Sequence, residues 1–573
     1  MVFNKKVSSL LNSKTAKNLF VQEGLKSSSE TVSENGALKY STSGNDFVDD
    51  FSSLSKYKAP RSFEEVSQTM QTLYSQNPID AVKMAIYVRL ITRKCQVING
   101  EKQVETLEDV QRGQGLRNEG IMRMLWLAIH YPNVFKVNLP LFIAAGSWKD
   151  VITMMNLDLQ YHGWKNKQLD WSFFGKVLKA GLINPNTTHL VRKYLPTIRT
   201  DAKCTTLESQ ADTLIGRWLA KQFFSEDEKF IAYKKYRQLK AQGIAHQWQQ
   251  LISKQLYKEL DFGKIAGRAL ALLVGSKFLQ NHNLVEKYSE WISNNSVAKY
   301  TGFVFELFRP LDTYYGWDWS TPSVEPHVKA TINAQFAQLV QTGKEGVNCN
   351  SGLLVVRDTS GSMGSAVPGC GMTAFAVAKA MALYFSEFLT GYFTNTFAEF
   401  SSDCKLHQWK GQTPVDKWIN DECSCVGNTN FQSVINLFVK LRRQGVPESE
   451  FPKGILCISD GEMDNCGEST NFRTAIATLI DAGFSKEYVD NFRIILWDIP
   501  NGYYGKPTTK FEDFADAPNF FYMSGFDPSA ISFIMNGTEF KRTPRNAEEL
   551  FKVAMDQELL NRVVIPKSTK RKK

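Results

Sequence analysis

Residues 353–364 read LLVVRDTSGSMG, and the fold turns on this stretch. The run 353–358 is apolar except for Arg357 and stops on Asp358. A short apolar run bounded by turn residues reads as a buried strand. Directly after it stand Ser360 and Ser362, two hydroxyls spaced to face the same way on a tight turn. The segment is either an ordinary strand-to-loop turn or a set of hard oxygen ligands for a cation.

Working outward, the segments 390–400, 404–410, 454–460, 491–499 and 519–525 also read as strands. Helical periodicity fills the gaps at 373–389, 430–445, 469–484 and 528–537. Strands alternating with helices imply crossover units and a largely parallel sheet. Ligands of such sheets sit at the carboxyl ends of the strands. Asp358 and Asp460 each end an expected strand and so face that edge. Thr429, in GNTNF, opens the helix before the 454–460 strand. Two carboxylates and three hydroxyls on neighbouring loops make an all-oxygen cluster. Such a cluster suits Mg²⁺, or another hard dication such as Mn²⁺, with room for a carboxylate or phosphate from a partner.

The three segments resemble the metal-ion-dependent adhesion site (MIDAS) of von Willebrand factor A domains. DTSGSM matches that family's D-x-S-x-S loop, Thr429 its single threonine, and Asp460 the aspartate of S-D-G-E. The resemblance implies that Ser360, Ser362 and Thr429 hold metal directly. It implies that Asp358 and Asp460 act largely through water. The segment AVPGCGM lengthens the loop after the serines.

Competing motifs are weaker. A phosphoaspartyl site needs a second Asp where Ser360 stands. The fragment 369–374, GCGMTA, fits G-x-G-x-x-A, but the metal loop separates it from the strand. No Walker loop, G-x-S-x-G elbow or H-E-x-x-H is present, and the seven histidines are dispersed. No catalytic residue is expected, and the chain reads as a non-enzyme.

At 573 residues, with 43% hydrophobic and 22% charged side chains, the chain is globular and too long for one core. No apolar run approaches the roughly 18 residues that span a bilayer. Nine scattered cysteines suggest a reducing, cytoplasmic setting. Residues 1–57 read as an irregular leader, and 58–345 as an all-α repeat domain. Residues 346–540 form the Rossmann-like A domain, and 541–573 a C-terminal helix with a basic tail. The class is thus α + α/β. In the helical region Ser62 and Glu65 make a capping-box signature, and strand-like alternation is nearly absent.

The helical half carries the charge. Residues 1–350 hold 44 Lys+Arg against 32 Asp+Glu, and 161–200 hold seven against one. The segments 34–51, 112–132 and 139–155 (ENGALKYSTSGNDFVDDF, RGQGLRNEGIMRMLWLAIHYP, LPLFIAAGSWKDVITMM) resemble the helical module of Ro autoantigen (TROVE) proteins. They are closer still to related helical-plus-A-domain proteins of bacteria, phages and eukaryotes. That resemblance, over about residues 34–540, implies HEAT-like repeats curved into a ring closed by the A domain. It also implies a ribonucleoprotein role, with single-stranded RNA ends in a basic hole and small structured RNA outside. Phosphates need cations, and stacked bases need aromatic or Arg planes. The candidate RNA contacts are Arg112, Arg117, Arg123, Lys165, Lys167, Lys176, Lys179, Arg192, Lys193 and Arg199. Tyr161, Trp164, Trp171, Phe173 and Phe174 interleave with them. The basic stretch 234–240 reads as a solvated helix face.

The expectation is a non-enzymatic RNA-binding ring: a chaperone, quality-control factor or ribonucleoprotein scaffold. Its Mg²⁺ site would dock a protein partner's carboxylate. The rival is a metal-dependent assembly scaffold with no RNA. A third reading is a metal-using hydrolase.

Overall fold

The computed structural model describes residues 30–32, 38–40, 44–54, 61–91, 95–99, 103–107, 110, 113–243, 247–298, 300–312, 323–346, 352–422, 427–461, 463–464, 471–499, 520–524, 526 and 547–566. Strands β1 (Glu30–Val32) and β2 (Leu38–Tyr40) pair antiparallel. The helix Asp46–Ser53 follows, its first amides from Phe47 and Val48 donating to Asn45 Oδ1. Part of the leader expected to be irregular is therefore ordered. Its Ser, Asn and Gly content hides an apolar face of Phe47, Val48 and Phe51. Phe551, on the helix Ala547–Met555, covers that face, with ring centroids 5.9 Å from Phe47 and 5.6 Å from Phe51.

Helices succeed one another from Phe63–Gln76 to Pro326–Gly346. The expected capping box is present: Glu65 N donates to Ser62 Oγ at 3.2 Å, and Ser62 N donates to Glu65 Oε2 at 2.8 Å. One expectation fails here. Strands β3 (Cys95–Asn99) and β4 (Gln103–Leu107) form an antiparallel hairpin inside the helical region. Its signal was two short alternating stretches, 95–99 and 103–107, separated by three residues that include Gly100.

Beyond residue 352 lies a six-stranded sheet in the order β10-β9-β8-β5-β6-β7. The strands are β5 (Leu353–Asp358), β6 (Thr396–Phe400), β7 (Cys404–Gln408), β8 (Gly454–Ser459), β9 (Arg493–Asp498) and β10 (Phe520–Ser524). All neighbours run parallel except β7, which is antiparallel to β6. Every residue of β5 and β8 is buried, which is why both read as mainly apolar runs, broken in β5 by Arg357 and Asp358. Leu354 and Val356 face the core under the helices Gln432–Arg443 and Asn471–Asp481. Leu353 and Val355 face the other way, into a core shared with Ala374–Ser386 and the helical half. The chain is thus helical in its first part and α/β in its second. The helix expected at 528–537 lies outside the described residues.

Among the described residues the two parts meet in two places. Near the sheet, Phe308 stacks on Trp418 at 4.8 Å, and Asn333 Oδ1 accepts Val415 N at 3.1 Å. At the far end the last described segment returns to the first helices. Asn138 exchanges hydrogen bonds with the Val564 backbone at 2.7 and 3.0 Å, and Lys83 Nζ donates to Asn561 Oδ1 at 2.7 Å.

Candidate metal centre and candidate nucleic-acid interface

β5 and β8 are adjacent, so their carboxyl ends bring Asp358 beside the Ser459–Asp460–Gly461 turn. Asp358 is fully buried, and Asp460 is 7% exposed. Ser360 N donates to Asp358 Oδ1 at 2.7 Å, the backbone turning around the carboxylate. Ser459 Oγ donates to Asp358 Oδ2 at 2.6 Å and accepts Gly461 N at 3.1 Å. Gly461 adopts φ +77°, the left-handed region that glycine enters without strain. Ser360 Oγ and Ser362 Oγ stand 3.3 Å apart. Thr429 is buried in the third loop, tied by Asn430 N to Ser401 O at 2.8 Å and by Asp464 N to Thr429 O at 2.9 Å. All five expected ligands therefore stand at the carboxyl end of the sheet, Asp358 as the last residue of β5 and the other four on loops. Ser459, which was not expected, is the side chain that clamps Asp358. Its signal was the position just before Asp460 at a strand end.

Burial first, and the Asp460 charge second, push the Asp358 carboxyl up to about 7, against the pull of the Ser459 and Ser360 hydrogen bonds. Two anionic groups crowded out of water favour either a proton or a cation. The donors are hard oxygens. Among the described residues no three His, Cys, Asp or Glu side chains gather at metal distance. Carboxylates with hydroxyls suit a dication that keeps several waters.

The glycine-rich turn at 369–374 is occupied differently. Asp312 Oδ2 accepts Thr373 N at 2.8 Å, and Thr373 Oγ1 caps the next helix through Ala376 N at 3.1 Å. A carboxylate stands where a dinucleotide's phosphates would need to bind.

The basic candidates divide. Arg123 is a correction: it is fully buried, with Nη2 2.7 Å from Asp50 and Nε 2.9 Å from Glu119. It ties Asp46–Ser53 to the helix Arg117–His130 and is closed to RNA. Arg123→Ala is expected to cost about 3 kcal/mol of stability, because it removes the buried one of the two guanidinium partners of Asp50 and Glu119 and leaves them only Arg61. It should leave RNA affinity of the folded fraction unchanged, as checked by thermal melts beside fluorescence anisotropy. Arg117 is half-exposed and lies 3.7 Å from Asp150, and Arg199 pairs with Asp212 at 3.4 Å. Arg112 lies outside the described residues.

Lys165, Lys176 and Lys179 are exposed, and Lys167 is half-buried. Arg192 and Lys193 are half-buried, with Lys193 Nζ 5.5 Å from the Tyr194 ring centroid. Of the interleaved aromatics, Trp171 and Phe174 are core, whereas Tyr161 and Trp164 are exposed. The stretch 234–240 is more than a solvated face. Tyr236 is buried with its hydroxyl donating to Pro196 O at 3.0 Å. Arg237 and Lys240 join Lys193 around a cleft of about 460 Å³. Lys240 donates to Leu195 O, and burial lowers its pKa.

Residues 352–572 match a family described as a domain of unknown function (DUF7788). No curated protein matches the chain. Among solved structures the chain is similar to the Ro (RSR) protein of Deinococcus radiodurans. The identity is 12%, with 85% of this chain and 96% of that one covered, at a TM-score of 0.35. A superposition that loose does not establish a shared fold.

Proposed function

We propose that this protein is a non-enzymatic RNA-binding scaffold that carries a Mg²⁺ site for docking a partner's carboxylate. The observation that carries the RNA reading is the exposed set Lys165, Lys176 and Lys179 on one turn and the helix after it. The acid of that stretch, Asp170, is already paired with Lys136 at 2.7 Å. Phosphates of a single strand would release counterions from such a face. The contacts of Phe308 and Asn333 with the sheet half, and the return of the C-terminal segment to the first helices, support a closed ring, the form the TROVE resemblance implies.

At the sheet edge Ser360, Ser362 and Thr429, with Asp358 and Asp460, would hold the cation, as the von Willebrand factor A resemblance implies. The ion would supply an open coordination position for an acidic group. Ser459 keeps the Asp358 carboxylate oriented in either state. A cytoplasmic, reducing setting belongs to this proposal, on the odd number and scattered spacing of the nine cysteines. Among the described residues no helix is long and apolar enough to cross a membrane.

The test is binding of a fluorescein-labelled decauridylate between 50 and 300 mM KCl. Affinity is expected to fall steeply with salt, log K falling by about 0.7 per phosphate neutralised for each unit of log[salt]. No binding at the lowest salt would overturn the RNA reading and favour the assembly scaffold. Mg²⁺-dependent turnover lost on replacing Asp358 would overturn the non-enzyme reading.

A further inference from the structure

The loop His162–Asp170 joins the helices Trp148–His162 and Trp171–Ile183. One fully buried carboxylate organises it. Asp158 accepts hydrogen bonds from Gln168 N at 2.8 Å, Leu169 N at 3.2 Å and Trp171 Nε1 at 3.0 Å. His162 Nδ1 lies 2.9 Å from the same carboxylate. Gly163, at φ +73° with open space around it, lets the chain leave the helix sharply. The loop is therefore held in place from beneath, and what stands at its tip is there by construction.

Trp164 stands at the tip. Its indole meets Trp171 edge-on at 5.2 Å, and Trp171 meets Trp218 the same way at 5.1 Å. Lys167 donates to Trp164 O at 3.3 Å and holds its ammonium 5.0 Å from the indole centroid. The ring is braced on these sides, yet 40% of Trp164 faces water, while Trp171 is only 4% exposed. Lys165 is exposed beside it. The carboxylates near the loop are engaged, Asp158 by the loop and Asp170 by Lys136.

An exposed indole on a braced loop, with Lys167 against it and Lys165 next to it in the chain, is complementary to a base and its phosphates. Stacking on an aromatic face uses the flat surface that every base offers, and the cations meet the backbone. We propose that Trp164 is a nucleobase-stacking platform for single-stranded RNA, with Lys165 and Lys167 engaging the phosphates beside the stacked base. The assignment rests on the RNA-binding reading above and narrows it to one ring and two cations.

The experiment uses the full chain and fluorescein-labelled decauridylate at low salt. Trp164→Ala is expected to weaken binding about tenfold to a hundredfold, in line with the worth of one stacked base. Trp164→Phe should retain most of the affinity, and Trp164→Leu, which keeps apolar bulk without a π face, should lose it. The Lys165→Ala/Lys167→Ala pair should lower the slope of log K against log[salt] by about 0.7 for each phosphate no longer neutralised. Thermal melts identify any variant whose fold is damaged, and the Phe/Leu contrast then decides. Equal affinities of the Phe and Leu variants would overturn the stacking assignment while leaving RNA binding intact. Failure of the unmodified protein to bind decauridylate would overturn both.

Discussion

Replacing Arg357 by alanine is expected to destabilise the protein by about 3–5 kcal/mol, the largest effect expected from any single charged side chain of the sheet half. Arg357 is fully buried next to the metal-site strand end. Its guanidinium donates to Asp421 at 2.6 and 2.9 Å and also to Glu399, both carboxylates nearly sealed from water. Lys379 reaches Asp421 at 3.1 Å, and the rings of Phe397 and Phe375 lie 4.4 and 5.1 Å from the guanidinium carbon. Removing the arginine leaves two buried carboxylates, with Lys379 beside Asp421 and His407 3.0 Å from Glu399. Urea unfolding reads the loss as a lower midpoint at unchanged slope. The quadruple variant Arg357→Met/Glu399→Gln/Asp421→Asn/Lys379→Met removes the guanidinium, both carboxylates and the ammonium that faces Asp421, and should recover a large part of the loss, because the penalty comes from uncompensated charge. A quadruple variant as unstable as Arg357→Ala would show that packing, not charge, sets the effect.

The second large effect is at the sheet edge. Asp358→Asn should weaken Mg²⁺ or Mn²⁺ binding, measured by calorimetry, by more than about 100-fold. It removes one of the two carboxylates a hard dication would use. Stability gives an independent readout. In metal-free protein the folded state holds the Asp358 carboxyl at about 7, above its unfolded value, because burial and the Asp460 charge oppose ionisation. An acid whose folded pKa is raised favours folding as protons are added. The thermal midpoint should therefore rise as pH falls from 8 towards 5. Mg²⁺ at pH 8 should restore what the proton supplies at pH 5. Asp358→Asn, neutral throughout, should flatten the pH response, and a variant that kept the full response would remove Asp358 as its source.

Much of the sheet half could be read directly from contiguous residues. Strands β5 and β8 are mainly apolar because helices cover both faces; Asp358 ends the first, and Asp460 follows the second. The helical half was legible in its periodicity, and Ser62–Glu65 in its spacing. Three features were not. The helix Asp46–Ser53 looks like a polar leader because its apolar face is completed by Phe551, about 500 residues away. The hairpin β3–β4 is short and lies between long helices, so the helical period on either side outweighs its alternation. Ser459 is an ordinary strand-end serine until β8 is laid against β5.

By itself, the sequence determined the oxygen-rich cluster of Asp358, Ser360, Ser362, Thr429 and Asp460, because donor chemistry and strand-end position are both local properties. It also determined the excess of positive charge in the helical half, which is a count. Which cations face solvent was decided only by tertiary structure. Arg123 and Lys165 are equivalent charges in a composition, but Asp50 and Glu119 close around the first while the second stands in water. Likewise Trp164 and Trp171 are alike in sequence, and the packing of Trp171 against Trp218 and its hydrogen bond to Asp158 separate a core ring from an open one. Exposure depends on partners brought in from distant parts of the chain, and no local pattern encodes it.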